Sequence, residues 1–194
     1  ANTALVLNPS GSVVEQLTYR EPVELLLDQP GANDREVLLQ DIVDAIEAGA
    51  ADDAISTLVL RLDRLSYVGI SKSLEIVEAI EGFKATGKPV VAVGDYYSQD
   101  QYLLASHADE VHLHNEGSLL LEGYGAFRNY FASALEKLKV DVNVFVAGTY
   151  KDALEPFLRD GMSEEERVAN LAWLDSLWGQ YTQRVEVQRE LPAG

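Results

Sequence analysis

The sequence predicts an α/β protein with a mainly parallel sheet, and three observations carry that expectation. Short apolar, β-branched runs at Ala4–Leu7, Ser56–Leu62, Val90–Val93 and Val142–Ala147 alternate with segments whose apolar residues recur at helical spacing. Within STLVLRL, Leu58, Val59 and Leu60 are contiguous, as in a strand covered on both faces. No linker divides residues 1–194 and no internal repeat is visible, so a single domain is expected.

Composition narrows the class. The 194 residues suffice for one domain with a real core, and 47% hydrophobic with 24% charged residues is ordinary for a globular protein. A formal net charge of −17 argues against nucleic acid as a partner and against docking on anionic lipid. There is no cysteine, hence neither a disulfide framework nor thiolate chemistry. No apolar run approaches the roughly 20 residues of a membrane span, and no signal peptide opens the chain. Both ends read as boundaries cut from something longer.

In chain order, the first strand closes on the turn residues Asn8, Pro9, Ser10 and Gly11, and Val13 and Val14 can continue it. Residues 19–36, with Pro22, Pro30 and Gly31, read as an irregular excursion. Asp34 is a candidate cap for a helix carrying Leu38, Ile42, Val43 and Ile46, with Gly49 as its stop. Ser71 can cap a helix bearing Leu74, Val77, Ile80 and Phe83, ended by Gly87 and Pro89. A helix is expected at Gln99–Ser106, a strand at Glu110–Leu113, and a glycine-flanked loop around Leu119–Leu121. Phe127, Phe131, Leu135 and Leu138 mark a further amphipathic helix. Ser163 and Glu166 form a capping box for the longest helix, on which Val168, Leu171, Trp178, Tyr181 and Val185 keep the period.

Functional groups in open α/β structures collect just past the carboxyl ends of strands. Lys151 is the first charged residue after the Val142–Ala147 run, separated from it by Gly148, Thr149 and Tyr150. Desolvation there lowers a lysine's pKa towards general-base use. By position alone, an ordinary surface lysine at a strand end is the favoured reading.

The segment GTYKDALEPFLRDGMSEEER resembles the lysine segment of the signal peptide peptidase A (protease IV) family, membrane-bound serine peptidases with a Ser–Lys dyad. The resemblance extends through ALVLNPSGSVVEQ, DIVDAIEAG, GKPVVAVGDYYSQDQYLLASHADEVHL and NLAWLDSLWGQYTQRVEVQRELP, most strongly to the amino-terminal half of double-length members. It implies a crotonase-like, Clp-protease-like superhelix of ββα units. It implies Lys151 as general base, with Thr149 and Tyr150 as positioning candidates. It further implies a bacterial inner-membrane protein whose soluble portion faces the periplasm, with membrane anchor and carboxyl-terminal repeat outside this chain. Implied partners are that repeat, further copies in a homo-oligomer, and hydrophobic signal-peptide fragments as substrate.

The chain departs from the family pattern where half-length members carry the serine and a glycine pair. Counting back from Ser106, Asp100 takes the nucleophile's place, and Ser98 lies two residues earlier. Leu65-Ser66-Tyr67-Val68-Gly69 replaces the glycine pair whose amides help form an oxyanion hole. The resemblance therefore implies a serine supplied from outside the chain. Two other readings stay open, a non-catalytic scaffold domain of the same fold and an acyl-CoA-using crotonase relative. No cofactor is expected. His112 and His114 share one strand face without a third ligand at a fitting spacing, His107 has no nucleophile beside it, and no metal is expected.

Overall fold

The computed structural model describes residues 3–19, 35–143 and 154–192. Contacts group the chain into two compact units, Ala1–Glu122 with Tyr181–Gly194, and Gly123–Gln180.

The first unit alternates strands and helices as its apolar pattern predicts. β1 (Thr3–Leu7), β2 (Gly11–Val14) and β3 (Glu36–Leu38) precede α1 (Leu39–Ala51). β4 (Ile55–Arg61) and β5 (Leu65–Tyr67) precede α2 (Ile70–Ala85). β6 (Val90–Tyr97), α3 (Gln99–Ser106) and β7 (Glu110–Leu119) follow. One sheet runs β1-β4-β6-β7 and a second runs β3-β2-β5, with every pairing parallel. β4 and β5 go to different sheets and lead into α2, the ββα pattern of a crotonase-like fold, whereas β2 and β3 share the second sheet and β6 runs straight into α3. Leu58, Leu60, Val90 and Ala92 on the central strands are inaccessible, as are Ile46 of α1 and Ile80 and Phe83 of α2. Burying Leu, Ile and Phe side chains stabilises the fold by about 1.5–3 kcal/mol each.

Several boundaries differ from the sequence expectation, each for a visible reason. Asp34 lies outside the described residues, and α1 begins at Leu39 with no side-chain cap. Gly49 does not end α1, which runs to Ala51; a Cβ there would stand 2.6 Å from a Leu5 methyl, so close packing demands the glycine. Lys88 ends the helix, its Nζ donating to the carbonyls of Gly49, Ala50 and Asp52 at 3.1, 2.8 and 2.8 Å. Ser71 is not the cap of α2. That position falls to Gly69, at φ +80°, which a side chain tolerates poorly. β7 continues six residues past the expected Leu113, to Leu119, after its register against β6 jumps from Gly94↔Leu113 to Tyr96↔Ser118.

The second unit contains α4 (Ala132–Lys137), α5 (Glu155–Leu158) and most of α6 (Glu164–Gln188), whose last residues belong to the first unit. The expected helix over Phe127–Leu138 shrinks to α4, which buries none of its residues. A helix this short needs an apolar face to cover, and Phe127 is 98% exposed. Ser163 does cap α6, its Oγ accepting from the Glu166 amide at 3.1 Å. The reciprocal arm of the capping box is replaced, because the Ser163 amide donates to Glu155 at 3.1 Å. Along α6, Tyr181 and Val185 are buried, whereas Val168, Leu171 and Trp178 are exposed.

Candidate active site

Two successive strand-to-helix turns bring one carboxylate and two amides together. β5 ends at Tyr67, and the chain turns through Val68 and Gly69 into α2. β6 ends at Tyr97, Ser98 caps α3, and Asp100 sits in the first turn of that helix. A single Asp100 oxygen, Oδ2, accepts from the Val68 amide at 2.8 Å and the Gly69 amide at 3.0 Å. Two backbone donors converging on one oxygen at 2.7–3.1 Å is the geometry that stabilises an oxyanion in acyl transfer. Here the oxygen belongs to the protein's own side chain. The carboxylate also meets the favourable end of its own helix dipole.

Gln101 braces the same junction. Its Nε2 donates to the buried Leu65 carbonyl at 2.8 Å, and its Oε1 accepts from the Ser98 amide at 2.9 Å. Ser98 Oγ is committed to the cap, accepting from the Gln101 amide at 3.4 Å. It has no base beside it among these contacts. Tyr97, at the end of β6, is buried, donates to the His112 carbonyl at 3.3 Å, and has its pKa pushed up to about 12 by burial and by the Asp63 charge.

Lys151, Thr149 and Tyr150 lie outside the described residues, so no geometry attaches to them. The strand expected at Val142–Ala147 is described only at Val142 and Asn143, which are irregular and exposed. The sequence reading saw Asp100 at the nucleophile's place but found no hole around it. The Val68–Gly69 amide pair supplies one without a glycine pair. Backbone donors leave no mark in residue type; only the lone Gly69 hinted at them.

The histidines have structural partners. His107 is buried, its Nδ1 2.8 Å from Glu81, and burial lowers its pKa, so the neutral ring is favoured. Lys84 ties the same corner, donating to the His107 carbonyl at 3.0 Å and pairing with Asp109 at 3.5 Å. His112 is exposed with Nε2 2.9 Å from Glu110, and His114 accepts from the Glu116 amide at 3.1 Å. Among the described residues no group of three or more His, Cys, Asp or Glu side chains could hold a metal ion. No described helix is long and apolar enough to cross a membrane.

In the second unit, polar groups gather where α5 meets the start of α6. Glu166 is 6% exposed, takes Arg128 Nη1 at 2.7 Å on Oε1, and accepts from the Tyr130 hydroxyl at 3.2 Å on Oε2. Glu155 accepts the Ser163 amide at 3.1 Å and lies 3.8 Å from Arg159.

Two parallel sheets joined by helices, with two amides aimed at one carboxylate oxygen, define an α/β protein of crotonase-like fold. The chain belongs to peptidase family S49, whose model matches residues 82–194, a span that includes Asp100, the GTYK segment and α6. It is 38% identical to Protease 4 of Salmonella typhi over 98% of its own length and 32% of that protein's. It is 40% identical to Protease 4 of Haemophilus influenzae over 81% of its length and 26% of that protein's. The chain thus spans about a third of the curated relatives it matches. Among solved structures it resembles a putative enoyl-CoA hydratase/isomerase from Acinetobacter baumannii (TM-score 0.38, 13% identity, covering 79% of this chain and 82% of that one). An enoyl-CoA hydratase from Mycobacterium avium subsp. paratuberculosis gives TM-score 0.37 at 19% identity, covering 78% and 70%. The fold class rests on the strand order, not on these likenesses.

Proposed function

We propose that this chain is the amino-terminal, lysine-bearing domain of a double-length signal peptide peptidase, with its serine nucleophile in a carboxyl-terminal repeat outside the chain. The reading rests on Asp100. At the place of the nucleophile stands a carboxylate, a poor substitute for an alkoxide in attack on an amide, and it fills the two-amide hole that a substrate oxyanion would need. Ser98, two residues before Asp100, is spent on the α3 cap. Among the described residues this half therefore offers neither nucleophile nor vacant hole, and the span of about a third of its relatives leaves room for a second half.

In this reading Lys151 takes the proton of the distant serine on attack and returns it to the leaving amine, while Thr149 and Tyr150 position it. The substrates are hydrophobic signal-peptide fragments. The whole enzyme is a homo-oligomer on the bacterial inner membrane, its soluble part in the periplasm and its anchor outside this chain. The 194 residues act as one domain, the first of two repeats, with no cofactor, metal or nucleic acid.

The test is hydrolysis of a fluorogenic hydrophobic peptide. The chain alone is expected to be inactive, the carboxyl-terminal repeat added in trans to restore turnover, and Lys151→Ala to abolish that restoration. Robust activity of the chain alone that disappears in Ser98→Ala would overturn the divided site.

A further inference from the structure

α1 and α2 pack against each other in the first unit, yet they leave a groove of about 550 Å³ between them. Its width comes from small residues. Ala50 and Ala51 line it from α1, Ala79 and Gly82 from α2, and a Cβ on Gly82 would meet nothing within 4 Å. Val43 and Phe83 add apolar surface. Each wall is one stripe at helical spacing, Val43, Glu47 and Ala50 on α1 and Glu75, Glu78 and Gly82 on α2.

The charge on this groove has one sign. Glu47, Glu75 and Glu78 line it, all three exposed, and no lysine, arginine or histidine joins them. None of the three belongs to an ion pair among the described residues. Lys88, whose Nζ stands 5.7 Å over the Phe83 ring, is spent on the three carbonyls that end α1. An apolar floor between carboxylates fits an occupant that is apolar on one side and positive at its flanks. A second copy is a poor candidate, because the chain carries 32 acidic residues against 15 basic ones.

The walls also select the occupant's conformation. Both are helices, with no free strand edge to offer, so an extended peptide lying there would leave its own N–H and C=O groups without backbone partners. A helix brings those bonds satisfied and lays an apolar face into the groove. From Gln40 to Ala51 the α1 wall rises about 17 Å, the length of a helix of roughly eleven residues. The signal-peptide substrates of the proposed peptidase share this chemistry, a positively charged start followed by an apolar run of about 7–15 residues.

We propose that the α1–α2 groove docks the basic end of a cleaved signal peptide as a short helix. Its apolar face lies on Val43, Ala79 and Phe83, and its lysines or arginines meet Glu47, Glu75 and Glu78. The identity of the occupant rests on the peptidase reading; the groove's preference for a cationic, apolar helix does not.

The first measurement is fluorescence anisotropy of the chain with a labelled probe peptide, two lysines followed by about ten leucines and alanines. Binding that weakens with added salt is expected. Glu75→Gln with Glu78→Gln should weaken it about fivefold. Gly82→Leu fills the groove and should weaken it at least about tenfold. That variant enters open space and replaces a poor helix former, so its denaturation midpoint should not fall. Unchanged binding in Gly82→Leu overturns the groove. Equal binding of a probe with glutamines for its lysines overturns the acidic rim, and equal binding of one with serines for its leucines reduces the site to ion exchange and overturns docking.

The second measurement is hydrolysis of the same probe by the assembled peptidase. Gly82→Leu should raise KM about tenfold with kcat unchanged, the signature of lost uniform binding. Hydrolysis with KM unchanged in Gly82→Leu overturns the docking role and leaves the peptidase reading standing. A probe that binds in the groove but is never cut overturns the occupant's identity together with that reading, while the groove's preference stands.

Discussion

The two units of this chain are held together by different physics. In the first, residues as far apart in sequence as Leu7, Ile46, Phe83 and Ala108 share one apolar core. In the second, the only buried residues among those described are Ser163 and Glu166, both polar, while Phe127, Leu138 and Val168 are 98, 72 and 57% exposed. The first unit can specify itself by covering apolar surface, a driving force that is non-directional and large. The second relies on directional bonds between charged and hydroxyl groups, each worth little net. It also leaves its large apolar side chains facing solvent, which marks a surface built to meet something. The proposed second repeat and neighbouring copies would supply that cover.

The largest effect that separates the units comes from truncating the first core. Phe83→Ala removes a fully buried ring that packs beside Gly49, where an added Cβ would stand 3.6 Å from Phe83 Cε2. The expected loss is about 3–5 kcal/mol, read from urea denaturation. A loss below about 1 kcal/mol would mean that the core is not what holds the first unit.

That asymmetry also explains what could be read in the sequence. β1, β4, β6 and α3 were legible within a residue or two, apart from the longer end of β6, because buried strands and helices write their period into apolar residues. The end of α1 was misread because the glycine at position 49 serves a contact with Leu5, forty-four positions away in sequence. The Phe127–Leu138 stripe was misread because periodicity reports an apolar face, not whether anything covers it. The Glu164–Glu166 run was legible as helix-start charge, yet Glu166 is buried and accepts from Tyr130, a pairing across 36 positions that no local pattern announces. At the site, Asp100 was found through family resemblance, and its two backbone donors were not.

The middle effect tests the filled hole. Asp100→Ala leaves the Val68 and Gly69 amides without their partner, a loss of about 1–3 kcal/mol for partly buried donors. Asp100→Asn keeps an acceptor oxygen and should lose less than half of that. Equal losses in both variants would assign the cost to helix charge, and no loss in either would mean that water replaces the carboxylate freely.

The smallest effect lies in the second unit and sharpens the comparison most. Phe127 is almost wholly in water, so Phe127→Ser deletes a ring that covers nothing in the isolated chain. Its unfolding free energy should change by less than about 0.5 kcal/mol, as for surface substitutions away from any cap or buried network. The change should appear in association instead. An exposed aromatic on an uncovered apolar face drives copies together, so sedimentation at rising protein concentration should give a lower mean mass for Phe127→Ser than for wild type. The two readouts distinguish a docking surface from a core residue by sign as well as size. A stability loss of about 2 kcal/mol or more would place the ring inside a core, and the contrast between an apolar and a polar unit would fail at its clearest point.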